Sequence, residues 1–384
     1  MDRSSLPRAL LARHVRVGRT GLVPPRLSPA TLSFTSPSSC GLSTASGSAS
    51  LHSASSNPSS SSSSSSSFTT VNADEISHFS RLSSQWWSET GEFALLHRMN
   101  PARVSYIREK VALDTSGEDP WTFEARHTDG AREKALGVGQ WLKGKRCLDV
   151  GCGGGLLSET LARLGGDVVG VDASKENIGI AKTHAGQDLF LPLIKDVDGD
   201  DGEIRSSTRT PVRGTVGSLE YRHTSAELLR DAGEKFDVVC AMEVLEHVDE
   251  PGEFMKCLGE MVKPGGHLIL STISRTPLAR LLTLTLAEDV LRLVTPGTHT
   301  YRKFVRPEEL RRFVYGSMGG YHVWERPTGA DDVRAEEVGE TRGIVYDPLG
   351  GRWRLWGGAE GTWGKEAGEG CNYMYHVKKR GDAA

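Results

Sequence analysis

Several features are scarce or missing in this chain of 384 residues, and each absence excludes a class of protein. No run of 18 or more apolar residues occurs, so no segment is predicted to cross a bilayer as a helix. The six cysteines form no C-x-x-C pair, and two fall on predicted core strands, as expected of reduced, buried thiols. Beyond residue 70 the net charge is about −8, which makes nucleic acid an unexpected partner.

The first 70 residues contain no lysine and only one acid, Asp2, but they carry six arginines. Residues 59–67 are an unbroken run of serine. Such a segment cannot bury enough apolar surface to offset the entropy lost on ordering it. An Arg-rich, Ser-rich and acid-poor composition is typical of an organelle transit peptide. We therefore predict a disordered mitochondrial transit peptide and Ser-rich linker over 1–70, with a plain disordered tail as the alternative.

The dinucleotide fingerprint G-x-G-x-x-G is also missing, although a glycine-rich loop is present at 151–155. An apolar strand that carries Asp149 precedes this loop, and helical spacing begins directly after it. Leu156 stands where the last fingerprint glycine belongs, so the pattern for pyrophosphate fails. The spacing G-x-G-x-G, beginning at Gly151, is typical of the loop under S-adenosylmethionine.

Further strands follow the loop in an order that predicts the fold. The second strand, 167–172, ends in Asp172, about 20 residues past the loop, where an acid that binds a ribose belongs. Strands at 219–223, 236–240 and 267–272 come next, and Glu227 is a candidate for a place beside the adenine. The order predicts an α/β fold over 71–380, with a doubly wound, seven-stranded, mostly parallel, Rossmann-like sheet and helices on both faces. It resembles a class I S-adenosylmethionine-dependent methyltransferase.

Three side chains after the strand at 236–240 are candidates for the chemistry. Glu243, Glu246 and His247 are spaced i, i+3 and i+4, which predicts one shared helical face at the carboxyl edge of the sheet. Two carboxylates and an imidazole in that place suit Mg²⁺, which would lower the pKa of a phenol hydroxyl. Two alternatives remain open: His247 alone is the general base, or the acids merely complement the helix dipole.

The segments around this core are less specific. Residues 74–97 open the folded part, and Ile76, Phe79 and Leu82 recur there at helical spacing. Trp86-Trp87 belong either to a helix docked on the domain or to a lid over the site. The helix predicted next holds Arg103, either a partner for the methionine carboxylate or an ordinary surface arginine. The leucine-rich stretch 277–294 predicts an interfacial helix or, equally, a buried cap. We expect inserts near 114–130, 196–218 and 357–370. Short strands are predicted at 321–325, 343–346, 353–356 and 372–377, two of them forming an antiparallel hairpin.

A set of motifs makes the resemblance closer. The chain resembles the ubiquinone biosynthesis O-methyltransferase family at Trp86-Trp87, 91–93, 96–101, 148–155, 242–248, 262–266, 297–299 and 303–307. The resemblance implies a mitochondrial enzyme that methylates catechol-type hydroxyls of 3,4-dihydroxy-5-polyprenylbenzoate and of demethylubiquinol. It also implies a multiprotein complex for coenzyme Q biosynthesis on the matrix side of the inner membrane, with peripheral membrane contact through 277–294.

By the same resemblance, Arg103, Gly151, Asp172 and Met242 are expected to contact S-adenosylmethionine. Glu243, Glu246 and His247 are expected to be catalytic and to form a Mg²⁺ site. Two alternatives to the family's activity remain open at this point. One is a methyltransferase for another small phenol, and the other is a catalytically silent complex subunit that binds S-adenosylmethionine.

Overall fold

The computed structural model describes residues 69–116, 139–189, 191, 193–194, 217–290, 295, 297–326, 338–356 and 368–381. All of them belong to one unit, Ser65–Ala384. The predicted leader lies outside the described residues, except for its last two positions. Most of each predicted insert lies outside them as well.

The described strands form one sheet with the order β3-β2-β1-β4-β5-β8-β6-β7. Strands β1 to β5 pair in parallel, and β8, β6 and β7 pair antiparallel. The bounds are β1 Arg146–Val150, β2 Asp167–Asp172, β3 Ser218–His223, β4 Phe236–Met242, β5 Val262–Ile273, β6 Glu340–Asp347, β7 Arg352–Leu355 and β8 Asn372–Lys378. The α/β doubly wound class is confirmed.

The number of strands differs from the prediction of seven, because the sheet has eight in the described residues. Both strands of a predicted hairpin are present, since β6 and β7 pair antiparallel at the outer edge of the sheet. The side chain of Asp347 closes the turn, since its Oδ1 accepts from the backbone N–H groups of Leu349 and Gly350 at 3.1 and 2.9 Å. The capped turn lets the short strand β7 fold back and pair with β6.

Helices cover the sheet, with bounds α1 Ala73–Leu82, α2 Ala94–Ser116, α3 Leu156–Arg163, α4 Lys175–Gln187, α5 Ala226–Asp231, α6 Pro251–Met261, α7 Pro307–Ser317 and α8 Gly320–Val323. Alternate residues of β1, β2, β4, β5 and β8 enter two separate hydrophobic clusters. Val239 packs in one cluster, whereas Val238 and Cys240 pack in the other. Both faces of the sheet are therefore buried, as parallel strands require.

The strand predicted at 321–325 is wrong. Gly319 adopts a φ of 89° and starts the helical turn α8, and Trp324 makes only one isolated bridge, to Lys379. Trp324 is 1% exposed, and its indole N–H donates to the carbonyl of Met318 at 2.9 Å. Aromatic residues favour a strand in the sequence, but here they fill the core beneath a turn.

The leucine-rich stretch begins with a helical turn, Pro277–Ala279, capped by the Thr276 hydroxyl. It continues as the π-helical segment Arg280–Val290. Leu278, Leu281 and Leu282 are exposed, whereas Leu284 packs against a small buried cluster. In the part of the chain that the structure describes, no helix is long and apolar enough to cross a membrane.

Candidate active site

The glycine-rich loop connects β1 to α3 at the carboxyl edge of the parallel strands. Gly151 and Gly153 have φ values of 69° and 54°, a region that other residues rarely adopt. A Cβ on Gly153 would lie 2.1 Å from the indole of Trp86, so the ring lies directly against the loop. The loop is therefore fixed both by its backbone conformation and by an aromatic residue from far earlier in the chain.

Asp172 ends β2 and ties the loop to the neighbouring strand. Its Oδ2 accepts from the backbone N–H of Gly153 at 2.9 Å. Its Oδ1 accepts from the N–H of Ser174 at 2.7 Å and from the Asn177 amide at 3.3 Å. Burial raises the pKa of this carboxyl, although these hydrogen bonds act in the opposite direction. Asp172 therefore has a fixed orientation at the carboxyl end of β2, the place predicted for a ribose-binding acid.

Trp86 and Trp87 both contact the glycine-rich loop. The Trp86 ring stacks on Phe93 with centroids 3.8 Å apart, and its indole N–H donates to the Asn177 side chain at 3.0 Å. Trp87 donates to the carbonyl of Gly154 at 2.9 Å and stacks on His184. The segment that carries both tryptophans therefore lies over the predicted cofactor loop.

A cavity of about 540 Å³ lies at this edge of the sheet. Gly151, Asp172, Met242, Glu243 and His247 line it, so five of the predicted site residues are brought together. The remaining wall is mostly apolar, with Ile76, Phe79, Leu96, Met99, Ile344 and Trp353 among its members. One cavity thus joins the predicted cofactor residues to an apolar chamber, an arrangement typical of small-molecule sites.

Glu227 lines the same cavity after β3. Its Oε1 accepts from both the backbone N–H and the hydroxyl of Thr70, at 2.9 and 2.5 Å. Its Oε2 is buried without a hydrogen-bond partner among the described residues. The start of the folded segment therefore runs past the place predicted for the adenine.

Glu243, Glu246 and His247 do not share one helical face, and that prediction is wrong. Glu243 adopts a φ of 54°, and only a short 3₁₀ turn, Leu245–His247, follows it. The tight turn at the strand end breaks the 3.6-residue period on which the prediction rested. Among the residues that the structure describes, no three His, Cys, Asp or Glu side chains surround one point as metal ligands would.

Glu246 is buried behind the cavity wall, 2% exposed, and its Oε2 accepts from the Thr272 hydroxyl at 2.8 Å. Burial, together with the charge of Glu243, raises the pKa of Glu246 to about 8. The Oε1 atoms of both acids are buried and have no hydrogen-bond partner within the described ranges. Oε1 of Glu246 lacks both a hydrogen bond and an ion pair among the described residues, whereas Oε1 of Glu243 faces the Arg103 guanidinium. Both acids are of the ligand type that Mg²⁺ prefers, but no third such ligand joins them in the described part of the chain.

Arg103 lies in the third turn of α2, since this helix begins at Ala94. The side chain is 4% exposed, and its Nη2 is 3.7 Å from Oε1 of Glu243, an ion pair longer than a hydrogen bond. Burial lowers the pKa of the guanidinium. It lies behind Glu243 rather than on the cavity wall, so contact with a methionine carboxylate stays a prediction.

His247 has a partner that the sequence did not suggest. Its Nδ1 lies 3.1 Å from Oε2 of Glu75 in α1, and its ring lies perpendicular to that of Phe79, with centroids 5.0 Å apart. Burial lowers the pKa of His247, although the bond to Glu75 acts against this. Sequence reasoning missed Glu75 because it is 172 positions away, in a helix whose spacing indicated only an apolar face.

The strand order, the glycine loop and the acid at the end of β2 define a class I S-adenosylmethionine-dependent methyltransferase. A family model described as a methyltransferase domain matches residues 130–315. A solved S-adenosylmethionine-dependent methyltransferase from Thermotoga maritima is 15% identical and overlaps with a TM-score of 0.41, covering 80% of this chain and 100% of that one.

The chain belongs to the ubiquinone biosynthesis O-methyltransferase family. It is 39% identical to the member from Sinorhizobium fredii over 287 residues, which are 75% of this chain and 91% of that protein. It is 41% identical to the member from Brucella ovis over 285 residues, which are 74% of this chain and 90% of that protein. The predictions of the family, of an S-adenosylmethionine-dependent O-methyltransferase and of its methyl donor are thereby confirmed.

Proposed function

We propose that this enzyme methylates a catechol-type hydroxyl on a polyprenylated ring. The substrates are a 3,4-dihydroxy-5-polyprenylbenzoate and demethylubiquinol. One observation carries the proposal: a single cavity joins the cofactor loop and His247 to an extended apolar wall. Such a wall suits a greasy tail beside a polar reacting ring, whereas a small unsubstituted phenol needs no such surface.

In the proposed reaction, the phenol oxygen attacks the methyl carbon of the sulfonium. The new O–CH₃ bond forms as the S–CH₃ bond breaks, and its electron pair returns to sulfur to leave a neutral thioether. Nε2 of His247 accepts the phenol proton as general base. The glycine loop and Asp172 hold the donor, so the residues contribute mainly geometry and the exclusion of water.

We also propose that Mg²⁺ assists, held by the carboxylates of Glu243 and Glu246. When bound, the ion would make the phenol more acidic. The support is the chemistry of the two acids: within the described residues their Oε1 atoms are buried without a hydrogen bond, and that of Glu243 has the Arg103 guanidinium at 3.7 Å. His247 is the third predicted ligand, but its Nδ1 faces Glu75, so we assign it to the proton instead.

The test is methyl transfer from labelled S-adenosylmethionine to a short-prenyl dihydroxybenzoate, with Mg²⁺ and then with chelator. We expect product that is lost on chelation. Product that survives chelation would remove the metal from the proposal and leave His247 as the base. An equal kcat/KM for unprenylated catechol would favour the small-phenol alternative instead.

A catalytically silent subunit is the remaining alternative. Glu243→Ala should abolish quinone synthesis in cells that depend on this chain, because an enzyme needs its acid and a scaffold does not. Quinone synthesis at the normal level in that variant would contradict the catalytic proposal.

We further propose a peripheral site on the matrix side of the mitochondrial inner membrane. Residues 1–70 would act as the transit peptide, and the enzyme would work within a multiprotein coenzyme Q complex. The exposed side chains of Leu281 and Leu282 support the membrane contact. Aspartate at both positions should abolish flotation with anionic liposomes. Leu189→Asp is the matched control, since Leu189 is 72% exposed and belongs neither to this segment nor to the cavity lining.

A further inference from the structure

The capped first turn of α1 sets the position of the Glu75 backbone. The side chain of Asn72 caps α1 by accepting from the backbone N–H groups of Asp74 and Glu75 at 2.9 and 3.0 Å. Glu75 and Phe79 are four residues apart and therefore lie on one face of the helix. Both contact His247, through a hydrogen bond and a perpendicular ring contact. A single helical face thus holds the imidazole from two sides.

The carboxylate has a second partner that holds its other oxygen. Lys303 Nζ lies 3.2 Å from Oε1 of Glu75, which leaves Oε2 for Nδ1 of His247. Lys303 is also 3.8 Å from Asp249, whose Oδ1 accepts from the Asn72 amide at 2.6 Å. A closed set of polar contacts therefore connects the start of α1 to the residues that follow β4.

We propose that Glu75 is a positioning residue for methyl transfer, which it serves by accepting the Nδ1–H of His247. This contact fixes the tautomer in which Nε2 carries the lone pair, and within the described residues Nε2 makes no hydrogen bond. The phenol proton moves to Nε2, and the carboxylate stabilises the imidazolium that forms. The inference rests on the proposed role of His247 as the base. It adds that His247 is held in the tautomer needed for a general base only when α1 is packed against it.

Glu75 could instead serve only to dock α1 on the domain. The two roles can be separated, because α1 has a second contact that does not involve His247. The hydroxyl of Ser80 lies 2.8 Å from that of Ser174 and donates to Glu176 at 2.9 Å. Ser80→Ala therefore loosens the same helix without touching His247, and it serves as the control. Glu75→Gln preserves size and an acceptor oxygen but removes the charge.

The experiment measures kcat and both KM values for Glu75→Ala, Glu75→Gln and Ser80→Ala, in the wild-type chain and in a His247→Ala background. We expect Glu75→Ala to lower kcat roughly 10- to 100-fold with KM values nearly unchanged, and Glu75→Gln to fall between it and wild type. Ser80→Ala should leave kcat within about twofold of wild type. Once His247 is absent, Glu75→Ala should change kcat by less than about twofold.

Equal losses of kcat from Glu75→Ala in both backgrounds would overturn the inference, because the residue would then act independently of His247. A rise in KM at constant kcat would also overturn it, since that result indicates docking of α1 alone. Two other results would contradict the proposed function and are distinguishable from those above. An unchanged kcat in His247→Ala would remove the base and the inference with it, and absence of product from the wild-type enzyme would remove the activity itself.

Discussion

Gly153 is the position where the contact between the loop and the tryptophan can be measured directly. In Gly153→Ala the new Cβ would lie 2.1 and 2.4 Å from two ring carbons of Trp86, so the indole must move. That ring is held by its stack on Phe93 and by its hydrogen bond to Asn177. The substitution therefore strains both the backbone and a well-anchored side chain.

The magnitude follows from three contributions. A positive φ costs a non-glycine residue about 1–2 kcal/mol. Loss of the aromatic stack costs about 0.5–1.5 kcal/mol, and loss of the indole hydrogen bond costs a similar amount. We expect the free energy of unfolding of Gly153→Ala to fall by about 3 kcal/mol. Only the backbone part, about 1–2 kcal/mol, should remain in a Trp86→Ala background.

Urea denaturation of the four chains in this double-mutant cycle checks the expectation. Gly179→Ala is the control, because Gly179 lies in α4, has no positive φ, and has no atom within 4 Å of the place where a Cβ would stand. It should be neutral or stabilising by up to about 1 kcal/mol. An equal cost of Gly153→Ala with and without Trp86 would refute the reasoning, because the indole would then contribute nothing to the strain.

Three further predictions concern the same edge of the sheet. Asp172→Asn replaces one acceptor oxygen by a donor, so the Kd for S-adenosylmethionine should weaken at least tenfold, about 1.4 kcal/mol, by calorimetry; an unchanged Kd would contradict it. Glu246 holds a proton in the fold up to pH about 8, above its ordinary value of 4.5. The free energy of unfolding should therefore fall as pH rises between these values, and Glu246→Gln should abolish that fall in thermal melts without divalent cation. Trp87→Phe keeps the ring on His184 but loses the bond to the Gly154 carbonyl, so the free energy of unfolding should drop by about 1 kcal/mol; a neutral result would contradict it.

Short stretches of sequence were enough for the core of the fold. The glycine spacing at 151–155, the strand that ends in Asp172 and the apolar strand 236–240 each depend on neighbouring residues. Strand pairing then carries Val150, Asp172 and Met242 to one edge, because parallel strands end together. The cofactor side of the site was therefore predictable before any tertiary contact was known.

The arrangement of the acids was not predictable in this way. Helical spacing placed Glu243, Glu246 and His247 on one face, but a left-handed residue and a 3₁₀ turn separate them. Turn geometry at the end of a buried strand depends on what packs beneath it, and here Asn372 on β8 donates to Glu243 at 3.3 Å. The helical turn before Trp324, where the sequence predicted a strand, depends on packing in the same sense.

Residues close together in the sequence encode the class of fold, the loop for the methyl donor and the acid beside it. These features are therefore predictable from the sequence alone. Two contacts of the site depend instead on how the whole chain packs: Trp86 covers Gly153, and Glu75 reaches His247. The partners in these pairs are separated by 67 positions or more, and no local pattern reports which distant side chains meet. Burial favours whichever distant partner fills the space and satisfies the polar atoms, and that choice is made only when the chain folds as a unit.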